Sequence, residues 1–165
     1  MAEVTTEKLT QRYPEELVSS ALFLLKRLGT SAKERSLDAY RETGLHPYHY
    51  AILAVLDEGS RESQGAIANA LGYDKAQLVG LLDELEQAGL VERRRDPDDR
   101  RRQLVRMTPA GRKSLARLRR ISGGLEDDFL SSLSESEREQ LHSLLLRLAE
   151  QHLPNCRLGQ RSPQP

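Results

Sequence analysis

The 165-residue chain has one cysteine, no tryptophan, two phenylalanines and no formal net charge. A single thiol, Cys156, excludes an internal disulfide and any zinc site made of several thiolates. Aromatic residues make up only 4% of the chain, so a core must come from Leu, Ala and Val. With abundant Arg and Glu, that composition favours helices. No apolar run approaches the roughly 18 residues of a membrane span. The amino-terminal MAEVTTEKLTQRYPEE has no apolar stretch of the kind a secretory leader uses. The expectation is a cytoplasmic protein with one domain and a real core.

Zero net charge argues at first against a nucleic-acid partner, but the charge is unevenly spread. Residues 89–120 hold eleven Arg and one Lys against four acids, a net of +8. Residues 121–153 hold seven acids against two Arg, a net of −5. One region is therefore suited to an anion. Catalytic patterns are missing: no Ser/His/Asp order, phosphate loop, metal set or Cys/His pair stands in a supporting context. An enzyme is not expected.

Residues 1–13 are polar and are expected to be loose. Pro14 suits a first helical turn, and Glu15 and Glu16 suit its positive end. Leu17, Ala21, Leu24, Leu25 and Leu28 follow at helical spacing, which predicts one long helix over 14–40, weakened at Gly29. Pro47 opens a second helix reaching about Asp57, with Tyr50, Ile52, Leu53, Val55 and Leu56 as a broad apolar face. Ser63 is a good N-cap for 64–71. Gly72 can take the left-handed conformation that closes that helix, and Asp74 caps 75–88. Leu78, Leu81, Leu82 and Leu85 then face inward, and Gly89 stops the helix. Helix, glycine turn and helix together outline a helix-turn-helix.

The stretch GLVERRRDPDDRRRQLVRMTPAG, residues 89–111, reads as a β-hairpin with strands over 90–94 and 103–107. Its tip sets Arg95, Arg100, Arg101 and Arg102 against Asp96, Asp98 and Asp99. Thr108-Pro109 opens the next helix, Thr as cap and Pro at the first helical position. That helix runs to about Leu133, with a bend expected at Gly123-Gly124. Ser134-Glu135-Ser136-Glu137 forms a capping box for a last helix bearing Leu141, Leu144, Leu145 and Leu148. Residues 154–165 read as a frayed tail.

Residues 63–111, above all LDELEQAGLVERR followed by DPDDRR and LVRMTPAG, resemble the MarR family of transcriptional regulators. The order of helices extends the resemblance over about 14–153. It implies a mainly α fold with a small β-hairpin wing, an α+β winged helix-turn-helix. The helix-turn-helix would occupy 63–88, the wing 89–108, and long dimerisation helices 14–40 and 109–153. It also implies a homodimer on double-stranded DNA, a pseudo-palindromic operator and release by a small ligand, with no cofactor.

The family's recognition helix enters the major groove, which places Lys75, Ala76, Gln77, Val79 and Gly80 on the DNA side. Gln77 can read adenine bidentately, and Lys75 can reach a phosphate or guanine. Gly80 serves either close approach to DNA or packing against another helix. Ser63 and Gln64 would hold phosphate at a helix start. The family's Asp-x-Arg near the wing tip falls on Asp99 and Arg101, the Arg entering the minor groove. Arg95, Arg100 and Arg102 are counted with the DNA-facing groups. Tyr40, Arg41, His46, Tyr48 and His49 are the candidate lining of a pocket for an aromatic acid. A metal at His46 and His49 would need further ligands that the sequence does not place, so no metal is expected. Oxidant sensing through a first-helix cysteine is not expected, since that helix has none. The alternative reading is a winged-helix module that binds DNA or protein without a ligand.

Overall fold

The computed structural model describes residues 12–59 and 62–153. The expectations for 1–11 and for the tail from 154, with Cys156, lie outside the described residues. The chain divides into two compact units, residues 1–35 and 36–165.

In the first unit, the single helix expected over 14–40 is two. α1 spans Glu15–Val18 and α2 spans Ala21–Tyr40, continuing into the second unit. The break falls at Ser19 and Ser20, because serine side chains offer the backbone local alternatives to the helical ladder. The Ser19 hydroxyl donates back to the Glu15 carbonyl at 2.8 Å. Ser20 Oγ accepts the Phe23 N–H at 3.3 Å and restarts the helix. Gly29, the expected weak point, stays helical. Tyr13 packs edge-on against Phe23, and the Arg27 guanidinium lies 5.4 Å from the Tyr13 ring centre.

In the second unit, a 3-10 turn at Arg41–Thr43 leads to Gly44 in the left-handed region and then to α3, Pro47–Glu58. β1 (Glu62–Ser63) precedes α4 (Gln64–Leu71) and α5 (Lys75–Gln87). Ser63 Oγ accepts the Ala66 N–H at 3.1 Å, and Asp74 Oδ1 accepts that of Gln77 at 2.8 Å. Each such cap is worth about 1 kcal/mol. Gly72, at φ 67°, closes α4.

β2 (Val91–Arg95) and β3 (Gln103–Met107) form the hairpin, paired from Val91↔Met107 to Arg95↔Gln103. β2 thus starts one residue later than expected. The sheet has three strands in the order β1-β3-β2, because Glu62 and Ser63 pair with Val105 and Leu104. Two residues are too few to show a period-2 pattern, which is why β1 is invisible in the sequence. α6 (Pro109–Phe129) runs unbroken through Gly123-Gly124, so the expected bend is corrected, and it ends before Leu133. α7 (Glu135–His152) opens on the Ser134/Glu137 capping box.

The core of this unit is aliphatic, as the composition requires. Ile52, Leu53 and Leu56 of α3 cluster with Ile67, with Leu78, Leu82 and Leu85 of α5, with Val91 and Val105 of the hairpin, and with Leu115 and Leu118 of α6. A fully buried Leu or Ile contributes about 1.5–3 kcal/mol, so this cluster fixes how α5 and the hairpin are held.

The joint between hairpin and α6 is close-packed. Gly89, at φ 69°, turns the chain out of α5. The Thr108 hydroxyl donates to the carbonyls of Gly89 (2.7 Å) and Leu90 (3.1 Å), and the Thr108 N–H donates to that of Leu90 at 3.0 Å. Gly111 is buried against this joint, and a Cβ there would overlap the Leu90 carbonyl oxygen and the Met107 side chain. Gly111→Ala is expected to lower stability by about 1–3 kcal/mol, as overpacking does. Gly123→Ala, where a Cβ meets nothing within 4 Å, should leave stability equal or raise it by up to about 1 kcal/mol. Equal melting of Gly111→Ala and the parent chain would show that the joint is looser than these contacts imply.

Candidate nucleic-acid interface

The two faces of α5 are chemically distinct. Leu78, Leu81, Leu82 and Leu85 are buried, whereas Lys75, Ala76, Gln77, Val79 and Gly80 are exposed. A Cβ on Gly80 would meet nothing within 4 Å, so packing inside this chain does not require the glycine. The exposed turn of α5, the start of α4 and the tip of the hairpin border one concavity of about 420 Å³. Ser63, Gln64, Lys75, Val79, Arg101 and Arg102 all line it, so half of the twelve sequence-assigned DNA residues meet there. Ala76, Gln77, Gly80, Arg95 and Arg100 lie outside that lining but are exposed; Asp99, also outside it, is half-buried.

The tip is held by its own acids. Asp96, buried, accepts the Asp98 N–H at 3.0 Å, and its own N–H donates to the Arg102 carbonyl at 3.0 Å. Asp99 Oδ1 accepts from the Arg101 N–H at 3.1 Å and lies 3.3 Å from Arg101 Nε. The Arg101 side chain is nonetheless 92% exposed. The acid limits the search of a long side chain without withdrawing its charge from solvent.

Sequence reasoning missed Arg93. Its N–H donates to Glu86 Oε1 at 2.9 Å, its Nε to Glu86 Oε2 at 2.9 Å, and its Nη2 reaches both Glu86 and Asp83. This arginine ties β2 to α5 and is not part of the displayed charge. The available signal was Asp83 and Glu86, one helical turn apart just ahead of a strand carrying three consecutive arginines.

The five candidate pocket residues do not form one set. Tyr40 is in the core with its hydroxyl 3.4 Å from the Leu118 carbonyl, and burial raises its pKa. Arg41 is exposed and pairs with Asp38 at 2.6 Å. His46, Tyr48 and His49 cluster at the start of α3, where Tyr48 also meets Tyr73 edge-on. His49 is buried, and its pKa is lowered by that burial and by His46, with Glu84 pulling the other way. Glu84 of α5, which no sequence pattern assigns to this cluster, lies 2.9 Å from His49 Nε2 and 3.7 Å from His46 Nε2.

The chain and its fold are similar to those of known proteins. A model of the MarR family matches residues 43–102. Transcriptional regulator HosA of Escherichia coli O111:H- is 33% identical over 99 residues, which is 60% of this chain and 73% of that one. The transcriptional repressor CouR bound to a 23-mer DNA duplex superposes with a TM-score of 0.78 at 31% identity, over 85% of this chain and 99% of that one. CouR from Rhodococcus jostii RHA1 bound to p-coumaroyl-CoA gives a TM-score of 0.71 at 27% identity, over 82% of this chain and 96% of that one.

The Arg93–Glu86 pair has a pH signature. Hydrogen bonds from Arg93 hold the Glu86 carboxyl below its ordinary value of 4.5. A carboxylate whose folded-state pKa is depressed adds stability above its unfolded pKa, and that stability is lost as pH falls through the folded value. The difference in melting temperature between the parent chain and Glu86→Gln should therefore shrink as pH falls from about 7 to about 3. A difference constant over that range would remove the pair from the pH dependence of the fold.

Proposed function

Since this chain belongs to the MarR family of transcriptional regulators, we propose that it is a homodimeric repressor that binds a pseudo-palindromic operator and is released by a small aromatic or phenolic ligand. The observation that carries the DNA-binding part is the convergence of the α4 start, the exposed face of α5 and the wing tip on one concavity. The +8 excess of residues 89–120 lies in and next to that wing. α5 supplies Gln77 and Lys75 toward base edges, while the first amides of α4 and the tip arginines take phosphates. Arg101, steadied by Asp99, reads a narrow minor groove by shape.

Dimerisation accounts for apolar surface left open in each unit. Leu24 is 41% exposed and Leu28 52% on α2, and Leu144 is 55% and Leu148 45% exposed on α7. Rows of exposed leucines of this kind mark contact surfaces. A twofold dimer would place two copies of α5 about 34 Å apart, one helical turn of DNA. The ligand part is supported by the p-coumaroyl-CoA held by CouR and by the aromatic cluster of Tyr48 and Tyr73 beside α5. Enzymatic activity is no part of this reading, since the relatives are regulators. No described helix is long and apolar enough to cross a membrane, and the site of action proposed is the cytoplasm.

The test is duplex binding at several salt concentrations, with the operator selected from a random library. Arg101→Ala is expected to weaken binding about tenfold and to flatten the salt slope by about one unit. Unchanged affinity and slope would sink the wing assignment. Gly80→Ala separates two roles that a glycine can play. The alanine should raise stability by up to about 1 kcal/mol of helix propensity, seen as a higher melting temperature, while lowering operator affinity because a methyl group now faces the duplex. A stabilised variant with parental affinity would show that α5 does not approach DNA at that turn.

A further inference from the structure

We propose that His46, His49 and Glu84 form a binding site for one divalent transition-metal ion, which joins the first turn of α3 to α5. One ligand atom from each of the three lies within 4.8 Å of the other two. Two imidazoles and a carboxylate suit Zn²⁺, Co²⁺, Ni²⁺ or Cu²⁺ rather than the oxygen-seeking Mg²⁺ or Ca²⁺. Three protein ligands leave a fourth position for water or an exogenous donor.

The orientation of the groups is compatible with shared coordination of one ion. Glu84 Oε2 lies 2.9 Å from His49 Nε2, yet not along the direction that an Nε2–H bond needs. His49 is 1% exposed, and its Nε2 has the Glu84 carboxylate at ion-pair distance without a well-directed hydrogen bond to it. A buried polar nitrogen in that state is costly. Two donors on one tetrahedral ion, with bonds of about 2.0–2.1 Å, stand about 3.3 Å apart, and neither points at the other. The observed separations from Glu84, 2.9 Å to His49 and 3.7 Å to His46, bracket that spacing. The Glu84 side chain is 59% exposed, which leaves the ion an entry path.

Coordination has a local consequence. His49 Nδ1 faces the His46 N–H at 3.3 Å. Ligation through Nε2 puts the imidazole proton on Nδ1, so loading exchanges that long capping contact for a coordinate bond. The start of α3 therefore changes its hydrogen bonding when metal enters. Because Glu84 stands on α5, loaded and metal-free protein should also differ in affinity for the same duplex. That last consequence rests on the DNA-binding reading, whereas the metal site does not.

The experiment uses untagged full-length chain freed of metal, titrated with Co²⁺ and followed by its d–d absorption, then displaced with Zn²⁺. One Co²⁺ per chain is expected, with the intensity of a low-coordinate site. His46→Ala and Glu84→Ala, each checked for folding by thermal melting, should weaken binding more than about tenfold, the least that loss of even an outer-shell group costs. The double variant His142→Ala/His152→Ala should bind as the parent does. No low-coordinate spectrum in the parent chain, or parental affinity in Glu84→Ala, would overturn the site. Equal duplex affinity with Zn²⁺ and with chelator would reject only the coupling to DNA, and weak duplex binding in both states would count against the DNA reading and not against the metal.

Discussion

The position of the hairpin depends on one joint, where the Leu90 carbonyl meets both Thr108 and the bare α-carbon of Gly111. Gly89 supplies the left-handed turn out of α5, and Thr108 closes the far strand onto the carbonyls of Gly89 and Leu90. α6 can then begin directly against the hairpin, because residue 111 has no side chain to hold it off. A tilt of the wing would have to break these hydrogen bonds or push α6 away. Arg93 adds a second tether from the middle of β2 to Glu86 and Asp83 of α5. Two attachments to neighbouring elements restrain the wing against rotation as well as bending.

The charge pattern takes its meaning from this arrangement. Arginines in residues 93–102 look alike in the sequence, but the structure gives them different work. Arg93 is drawn in between two acids of α5 and has only a fifth of its side chain exposed. Arg101 touches Asp99 yet stays almost fully in solvent. The acids of this region are correspondingly structural, Asp96 shaping the turn and Glu86 holding the strand. Zero net charge is thus compatible with an anion-facing surface, since many of the compensating acids lie away from it, among them three near the end of α6 and four in α7.

Legibility in the sequence followed the range of the interaction. Caps at Ser63, Asp74, Thr108 and Ser134 were readable, because each involves an N–H three residues away. The buried and exposed faces of α5 were readable from leucine periodicity. The break at Ser19-Ser20 was not, since leucines on both sides keep helical spacing and the competing serine bonds leave no periodic trace. β1 was too short to see. Arg93 and Glu84 were missed because their partners lie on other elements, and only the packed core brings them into reach. Tyr40 was placed in a pocket by resemblance, although its hydroxyl is occupied in the core.

α5 itself is divided along its length, and under the proposed reading this division lets a neutral protein present a helix to DNA. Its first two turns expose Lys75, Gln77, Val79 and Gly80, with no acid beyond the capping Asp74, whose carboxylate accepts the Gln77 N–H. Its acids, Asp83, Glu84 and Glu86, all fall in the second half, where Arg93 and the α3 histidines engage them. In the proposed complex, an unengaged carboxylate among the first two turns would repel nearby phosphates by several tenths of a kcal/mol or more at each close approach. The positive end of the helix dipole points the same way as Lys75. The sequence order of one helix, one lysine and an amide first and acids last, thereby separates the surface proposed to meet DNA from the surface that holds the wing.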